Sequence, residues 1–242
     1  LSMLRYYFED ACDWRGNKED YRHLFDGLRI MEQGERYTKH MAQYPVISLT
    51  LKSGKQSTFS DCMGELCYAI ANEFSRHEYL LKCGQLSEHE RETFIRFMNQ
   101  KGESGEYKHS LKFLCDIMKK VTGKDTIVLL DEYDVPLEGA YHYGFYDEMV
   151  DFIRGLFEST LKTNDSLYFA VITGCLRISK ESIFTGLNNL EINSVLGTRY
   201  GEYFGFTEQE MKQLCKDYQL SDKYEEIREW YNGYLFGNVN VY

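Results

Sequence analysis

The amino-acid sequence predicts an α/β fold, in which a parallel sheet is flanked by helices. Residues 126–131 form a short apolar run that leads into acidic residues, which is typical of a strand buried on both faces. A second apolar run covers residues 167–173, and apolar residues at helical spacing mark residues 145–162 between the two runs. A strand, a helix and a strand at this spacing indicate a βαβ unit, so we expect the two strands to pair in parallel.

The composition is that of a globular protein. The 242 residues, of which 43% are hydrophobic and 27% charged, can form one α/β domain with a small helical part. The net charge of −10 argues against an exposed, non-specific DNA-binding surface and leaves a local basic channel open. Seven cysteines without a CxxC pair, no signal peptide and no apolar run of about 18 residues predict a cytoplasmic protein with reduced thiols and no membrane span.

Apolar spacing and capping residues predict the remaining elements. Ser87 and Glu90 form a capping box, as do Thr207 and Glu210, and Gly123 ends a helix. Ahead of the βαβ unit we predict helices over residues 1–10, 23–31, 58–82, 87–99 and 111–121 and a strand over 44–51. After it we predict a short strand over 203–206, helices over 207–218 and 222–230, and a strand-like end over 238–242.

The acids that follow the first apolar run are candidate functional residues. Asp131 and Glu132 should lie at the carboxyl end of the strand, where open α/β sheets bind ligands. In a phosphate-handling fold the first acid holds magnesium and the second orients a water molecule. The alternative interpretation is that Asp131 only caps the segment that follows it.

Polar residues after the second strand could complete such a site. Thr173 should lie at the same edge as Asp131, where a hydroxyl can sense a terminal phosphate or hold a water; alternatively it satisfies a backbone group. Arg177 and Lys180 follow in one loop, and cations there would offset charge in a phosphoryl-transfer transition state. The alternative for both is a solvated loop.

A phosphate-binding loop of the form Gly-x-x-x-x-Gly-Lys-Ser/Thr is absent from these residues. Gly54-Lys55 is followed by Gln56, and Gly123-Lys124 is followed by Asp125. Neither pair has the first glycine of the pattern five residues before its own glycine. These 242 residues therefore offer candidate acids but no loop that cradles phosphates.

At this point the sequence resembles the predicted AAA-ATPase-like family of bacterial proteins, in which a P-loop domain is often followed by a PD-(D/E)XK-type nuclease domain. The resemblance rests on six stretches that occur in order, at residues 1–8, 131–137, 172–180, 182–190, 205–208 and 230–234. It implies a P-loop NTPase-like fold of the ASCE/AAA type over residues 1–206, followed by a helical lid or linker over residues 207–242.

The resemblance also implies roles for named residues. Asp131 would be the Walker B magnesium acid, Glu132 the catalytic base and Thr173 the sensor, and Arg177 is a candidate arginine finger. The cofactors of the intact protein would be ATP and Mg²⁺. The phosphate loop would come directly before Leu1, so we expect a fragment truncated at both ends that binds ATP poorly by itself.

Three functional hypotheses follow. The intact protein is a magnesium-dependent ATPase, or it is a non-hydrolysing P-loop-like scaffold or interaction module that serves an associated nuclease domain. The third is a metal-dependent nuclease that uses Asp131, Glu132 and Asp134 directly, and it is disfavoured because residues 167–172 carry no acid. Binding of nucleic acid and oligomerisation stay open.

Overall fold

A parallel sheet of three strands forms the centre of the larger part of the protein. The computed structural model describes residues 1–175, 183–184, 190–231 and 233–242. The strands are β1 (Val46–Thr50), β2 (Thr126–Asp131) and β3 (Leu167–Ile172), in the order β1-β2-β3. Both pairings are parallel, with Thr50 opposite Asp131 and Leu130 opposite Ile172. The predicted parallel pairing of β2 and β3 is confirmed, and the acidic end of β2 lies between its two neighbours.

Helices surround this sheet. In the described part of residues 1–188 they are α1 (Ser2–Phe8), α2 (Glu35–Thr38), α3 (Phe59–Arg76), α4 (Glu88–Met98), α5 (Ser104–Tyr107), α6 (Ser110–Thr122), α7 (Val135–Tyr143) and α8 (Tyr146–Leu161). Single 3₁₀ turns lie at Arg22–Phe25, Arg29–Glu32, Lys52–Gly54 and Glu78–Lys82. Among these residues, no helix combines the length and apolar character needed to cross a membrane.

The sequence predicted α1, α3, α4, α6 and α8, and it missed the four-residue helices α2 and α5. The helix predicted over 58–82 ends at Arg76 and is followed by a 3₁₀ turn, and the one predicted over 23–31 is two 3₁₀ turns. Helix α7 was not predicted at all. The capping box at Ser87 and Glu90 is present, and Gly123 ends α6 in a left-handed conformation with φ of 71°.

Strand β2 is buried on both faces, as its apolar run predicted. Ile127 and Leu129 pack with Leu4 and Phe8 of α1 on one face. Val128 and Leu130, which point the other way because strand side chains alternate, join the main core. That core includes residues of α3, α6, α7 and α8. Each such fully buried side chain stabilises the fold by about 1.5–3 kcal/mol, so β2 and its acidic end are held firmly.

The chain divides into two compact units, Leu1–Asn188 and Asn189–Tyr242. The second contains α9 (Glu208–Asp217), α10 (Tyr224–Tyr231) and a hairpin of β4 (Tyr234–Phe236) and β5 (Val239–Val241). The capping box at Thr207 and Glu210 is present. The strand predicted over 203–206 is wrong, because a 3₁₀ turn covers Gly201–Tyr203. The division by predicted role, at residues 1–206 and 207–242, stays a prediction.

Candidate functional site

The carboxyl end of β2 brings Asp131 and Thr173 together. Thr173 follows β3, and its hydroxyl donates a hydrogen bond to Oδ1 of Asp131. Its backbone is held as well, because Thr173 N–H donates to Leu130 O at 2.9 Å and Thr173 O accepts from Tyr133 N–H at 3.1 Å. The other neighbour is also bound, since Leu51 N–H donates to Asp131 O at 2.9 Å. The half-buried Asp131 is thus fixed from both adjacent strands.

Glu132 adopts an unusual backbone conformation. Its φ is +55°, in the left-handed region that side chains other than glycine rarely occupy. Such a conformation costs roughly 1 kcal/mol or more and often marks a functional site. The Oε2 atom of Glu132 is shielded from solvent and has no hydrogen-bond partner within the described residues. A buried carboxylate oxygen of this kind is costly unless a bound group satisfies it.

Asp134 starts helix α7 and ties it to the end of β3. Its side chain is only 3% exposed. Its Oδ2 accepts a hydrogen bond from Cys175 N–H at 2.9 Å. In the sequence analysis Asp134 has a role only in the disfavoured nuclease hypothesis, and α7 is not predicted. The missed signals were the Pro in the first helical turn and Gly144, which ends α7 with φ of 83°.

The two acids at the end of β2 differ from nearby Glu138 in their charge pairing. Asp131 and Glu132 form no ion pair there, whereas nearby Glu138 pairs with Lys55 at 3.0 Å. Arg177 and Lys180, the cations that the sequence offered, fall outside the described residues.

The donor set fits magnesium bound jointly with a ligand. Mg²⁺ prefers oxygen ligands and usually combines one or two carboxylates with substrate phosphates and water. No group of three or more His, Cys, Asp or Glu in the described residues could hold a metal ion by itself. One oxygen of Asp131 accepts from Thr173, so a metal bound here would need ligands beyond the described carboxylates.

Comparison with known proteins identifies the family. An uncharacterized protein in the vnfD 5′ region of Azotobacter chroococcum mcd 1 is 28% identical over 221 residues, which is 90% of this chain and 38% of that relative. This chain thus spans well under half of the relative's length. No solved structure gives a significant match. The family described as predicted AAA-ATPase matches residues 1–184, more than half of the chain. The chain therefore belongs to the predicted AAA-ATPase family.

Proposed function

We propose that this chain is the core of a magnesium-dependent ATPase of the P-loop type, with the ASCE/AAA order of functional strands. The observation that carries the proposal is the carboxyl edge of the sheet, where Asp131 and Glu132 follow β2 and the hydroxyl of Thr173 bonds Asp131. Ligands of open α/β sheets bind at this edge. Membership of a family described as predicted AAA-ATPase supports the same assignment.

Each residue has a defined task in this proposal. Asp131 would hold Mg²⁺ together with phosphate oxygens of ATP, and the metal would neutralise charge on the phosphates. The Glu132 carboxylate would accept a proton from a water molecule. The oxygen of that water would bond to the terminal phosphorus while the bond from this phosphorus to ADP breaks. Thr173 would sense the terminal phosphate, and Arg177 is a candidate for a charge-stabilising finger.

The phosphate-cradling loop has to come from elsewhere in a longer protein, because these 242 residues contain none. The proposal therefore concerns the full-length protein. A nuclease-like domain in the same polypeptide and a cytoplasmic location remain part of the proposal.

Magnesium-dependent ATP turnover by the full-length protein tests the proposal. Glu132→Gln should lower kcat by about 100-fold or more and leave ATP binding intact, since the amide cannot accept the proton of water. Asp131→Asn should weaken the magnesium dependence of ATP binding. Glu138→Gln, an exposed acid on α7 that pairs with Lys55, is the matched control and should keep full activity. Unchanged ATP turnover in Glu132→Gln would contradict the proposal.

The alternative is a non-hydrolysing scaffold or interaction module, and the absence of the phosphate loop from these residues favours it. Equilibrium binding separates the two functions. If the full-length protein with Mg²⁺ does not bind ATP at millimolar concentration, the scaffold is the correct assignment.

A further inference from the structure

The loop that leaves β3 is held by hydrogen bonds at two residues, Thr173 and Cys175. Thr173 is bonded through its backbone and its hydroxyl to the end of β2. Cys175 N–H donates to Oδ2 of Asp134 at 2.9 Å. Asp134 is 3% exposed whereas Cys175 is exposed, so this hydrogen bond ties a surface loop to a buried carboxylate.

Gly174 lies between these two anchors and makes the close approach possible. A Cβ atom at this position would lie 2.6 Å from Cε1 of Tyr133 and 2.7 Å from Oδ1 of Asp134. Both distances are shorter than real Cβ contacts. Any side chain at 174 would therefore push the loop away from Asp134, and the constraint comes from space rather than from a left-handed backbone.

Asp134 is itself placed by a rigid neighbour. It precedes α7, in which Pro136 packs so closely on Gly54 that a Cβ on that glycine would lie 2.8 Å from Cβ of the proline. Cys62 Sγ in turn donates to Gly54 O at 2.9 Å. The carboxylate is thus fixed with respect to the 3₁₀ turn after β1 and, through Cys175, with respect to the end of β3.

We infer that Asp134 is a positioning residue: its hydrogen bond with Cys175, which Gly174 makes possible, keeps the Thr173 hydroxyl on Asp131. This inference rests on the proposed ATPase function. Asp134 acts through Thr173 and does not touch the reacting atoms. It couples the end of β3 to α7, so the hydroxyl and the magnesium acid move as one unit.

A double-mutant cycle in the full-length protein tests this role. Asp134→Ala should lower kcat about tenfold and change KM for ATP by no more than about twofold. The reason is that the Thr173 hydroxyl would be displaced while no contact to ATP is removed. Asp134→Asn should restore most of kcat, since its amide oxygen can still accept from Cys175. In a Thr173→Val background, Asp134→Ala should have little further effect, because groups that act as a unit are non-additive.

Gly174→Ala should reproduce the effect of Asp134→Ala. Gly64→Ala is the matched control, because a Cβ at Gly64 on α3 meets nothing within 4 Å, and it should leave kcat unchanged. Hydrogen exchange at the amide of Cys175 should become faster in Asp134→Ala and stay slow in Asp134→Asn. This readout does not depend on catalysis.

The possible failures are distinguishable. A wild-type protein that binds but does not hydrolyse ATP would overturn the proposed function and this inference together. Wild-type turnover with additive effects of Asp134→Ala and Thr173→Val, or with normal kcat in Asp134→Ala, would overturn the inference alone. A lower melting temperature with unchanged kcat per folded molecule would assign Asp134 a purely structural role, which also contradicts it.

Discussion

Two groups of acids in the first unit have opposite electrostatic surroundings. Glu9 and Glu73 lie on the flank of the sheet, are each 5% exposed and both pair with Arg76. Arg76 reaches Oε1 of Glu73 at 2.6 Å and also donates to Val46 O at 2.6 Å. At the carboxyl edge, Asp131 and Glu132 make no ion pair with any described residue.

The difference separates structural acids from candidate functional ones. On the flank, the buried charges are neutralised by residues of the protein itself, which joins α1, α3 and β1. At the edge, no described residue neutralises Asp131 or Glu132. Charge shielded from water is costly unless it is paired or binds a metal. The edge acids, which no described residue neutralises, therefore support the proposed ligand site, and the flank acids do not.

Removing the central cation of the flank network should have the largest effect on stability. Arg76→Ala removes the arginine from two buried carboxylates, leaving Glu9 with Arg5 at 3.3 Å and Glu73 with only His77 at 3.3 Å. We expect it to lower the free energy of unfolding by about 3–5 kcal/mol. Lys55→Ala, which breaks the exposed pair with Glu138, should cost at most about 1 kcal/mol. Urea unfolding of both variants measures the contrast. Equal losses of unfolding free energy would show that the flank network stabilises the fold no more than the exposed pair does.

Neutralising one acid in each group is the sharpest comparison. Glu73→Gln should destabilise by about 2–3 kcal/mol, because Arg76 loses one of its two charged partners and Ser48 N–H loses its carboxylate acceptor at 2.8 Å. Asp131→Asn should leave stability unchanged or raise it slightly, since it removes repulsion from Glu132 and keeps an acceptor for Thr173. The same unfolding measurement applies to both, and a larger loss in Asp131→Asn would reverse our interpretation of the two groups.

Acidification should weaken the flank network. Burial lowers the pKa of His77 from its ordinary 6.5. Burial alone would raise the pKa of Glu73, but the charge of Arg76 and the hydrogen bond from His77 outweigh it and hold this pKa at about 2, below the ordinary 4.5. In both cases the folded state binds fewer protons than the unfolded state, so stability is lost as pH falls.

The expected loss begins as pH drops through 6.5, where His77 of the unfolded chain takes up a proton, and continues below 4.5 toward 2 because of Glu73. Urea midpoints at about pH 8, 6, 5 and 4 measure this loss of stability. His77→Gln should remove the loss above about pH 5 and keep the part due to Glu73. A midpoint that rises between pH 7 and 5 would contradict the network's assigned charges.

Relief of backbone strain should give the smallest effect and separates stability from function. Glu132→Gly should stabilise the chain by about 0.5–1 kcal/mol, because glycine adopts a positive φ without steric cost. Gln100→Gly is the control, since Gln100 has φ of +56° on an exposed turn far from these acids in sequence. Both variants should be stabilised in thermal unfolding, and only Glu132→Gly should lose ATPase activity in the full-length protein. Full activity in that variant would remove Glu132 from the site.

The contacts that the sequence predicted and those it missed differ in kind. The approach of Thr173 to Asp131, 42 residues apart, followed from the rule that carboxyl ends of parallel strands share one edge. The Arg76–Glu9 pair spans 67 residues, and no periodic pattern predicts it, because it depends on how α1 and α3 pack on the sheet. The end of α3 at Arg76 was missed as well: His77 leaves helical geometry with φ of −102° and ψ of 20°, and its N–H donates to Phe74 O at 3.0 Å.

The sequence by itself determined the α/β class, the buried strand β2 with its acidic end, the parallel neighbour β3 and the family. These follow from local patterns of apolar residues and from short stretches that resemble the family, and neither requires knowledge of distant contacts. The tertiary structure alone decided which acids are neutralised, the left-handed backbone of Glu132 and the bond between Asp134 and Cys175. These features arise only when packing brings distant residues together, because the charge, solvent exposure and allowed approach of a side chain depend on its three-dimensional neighbours.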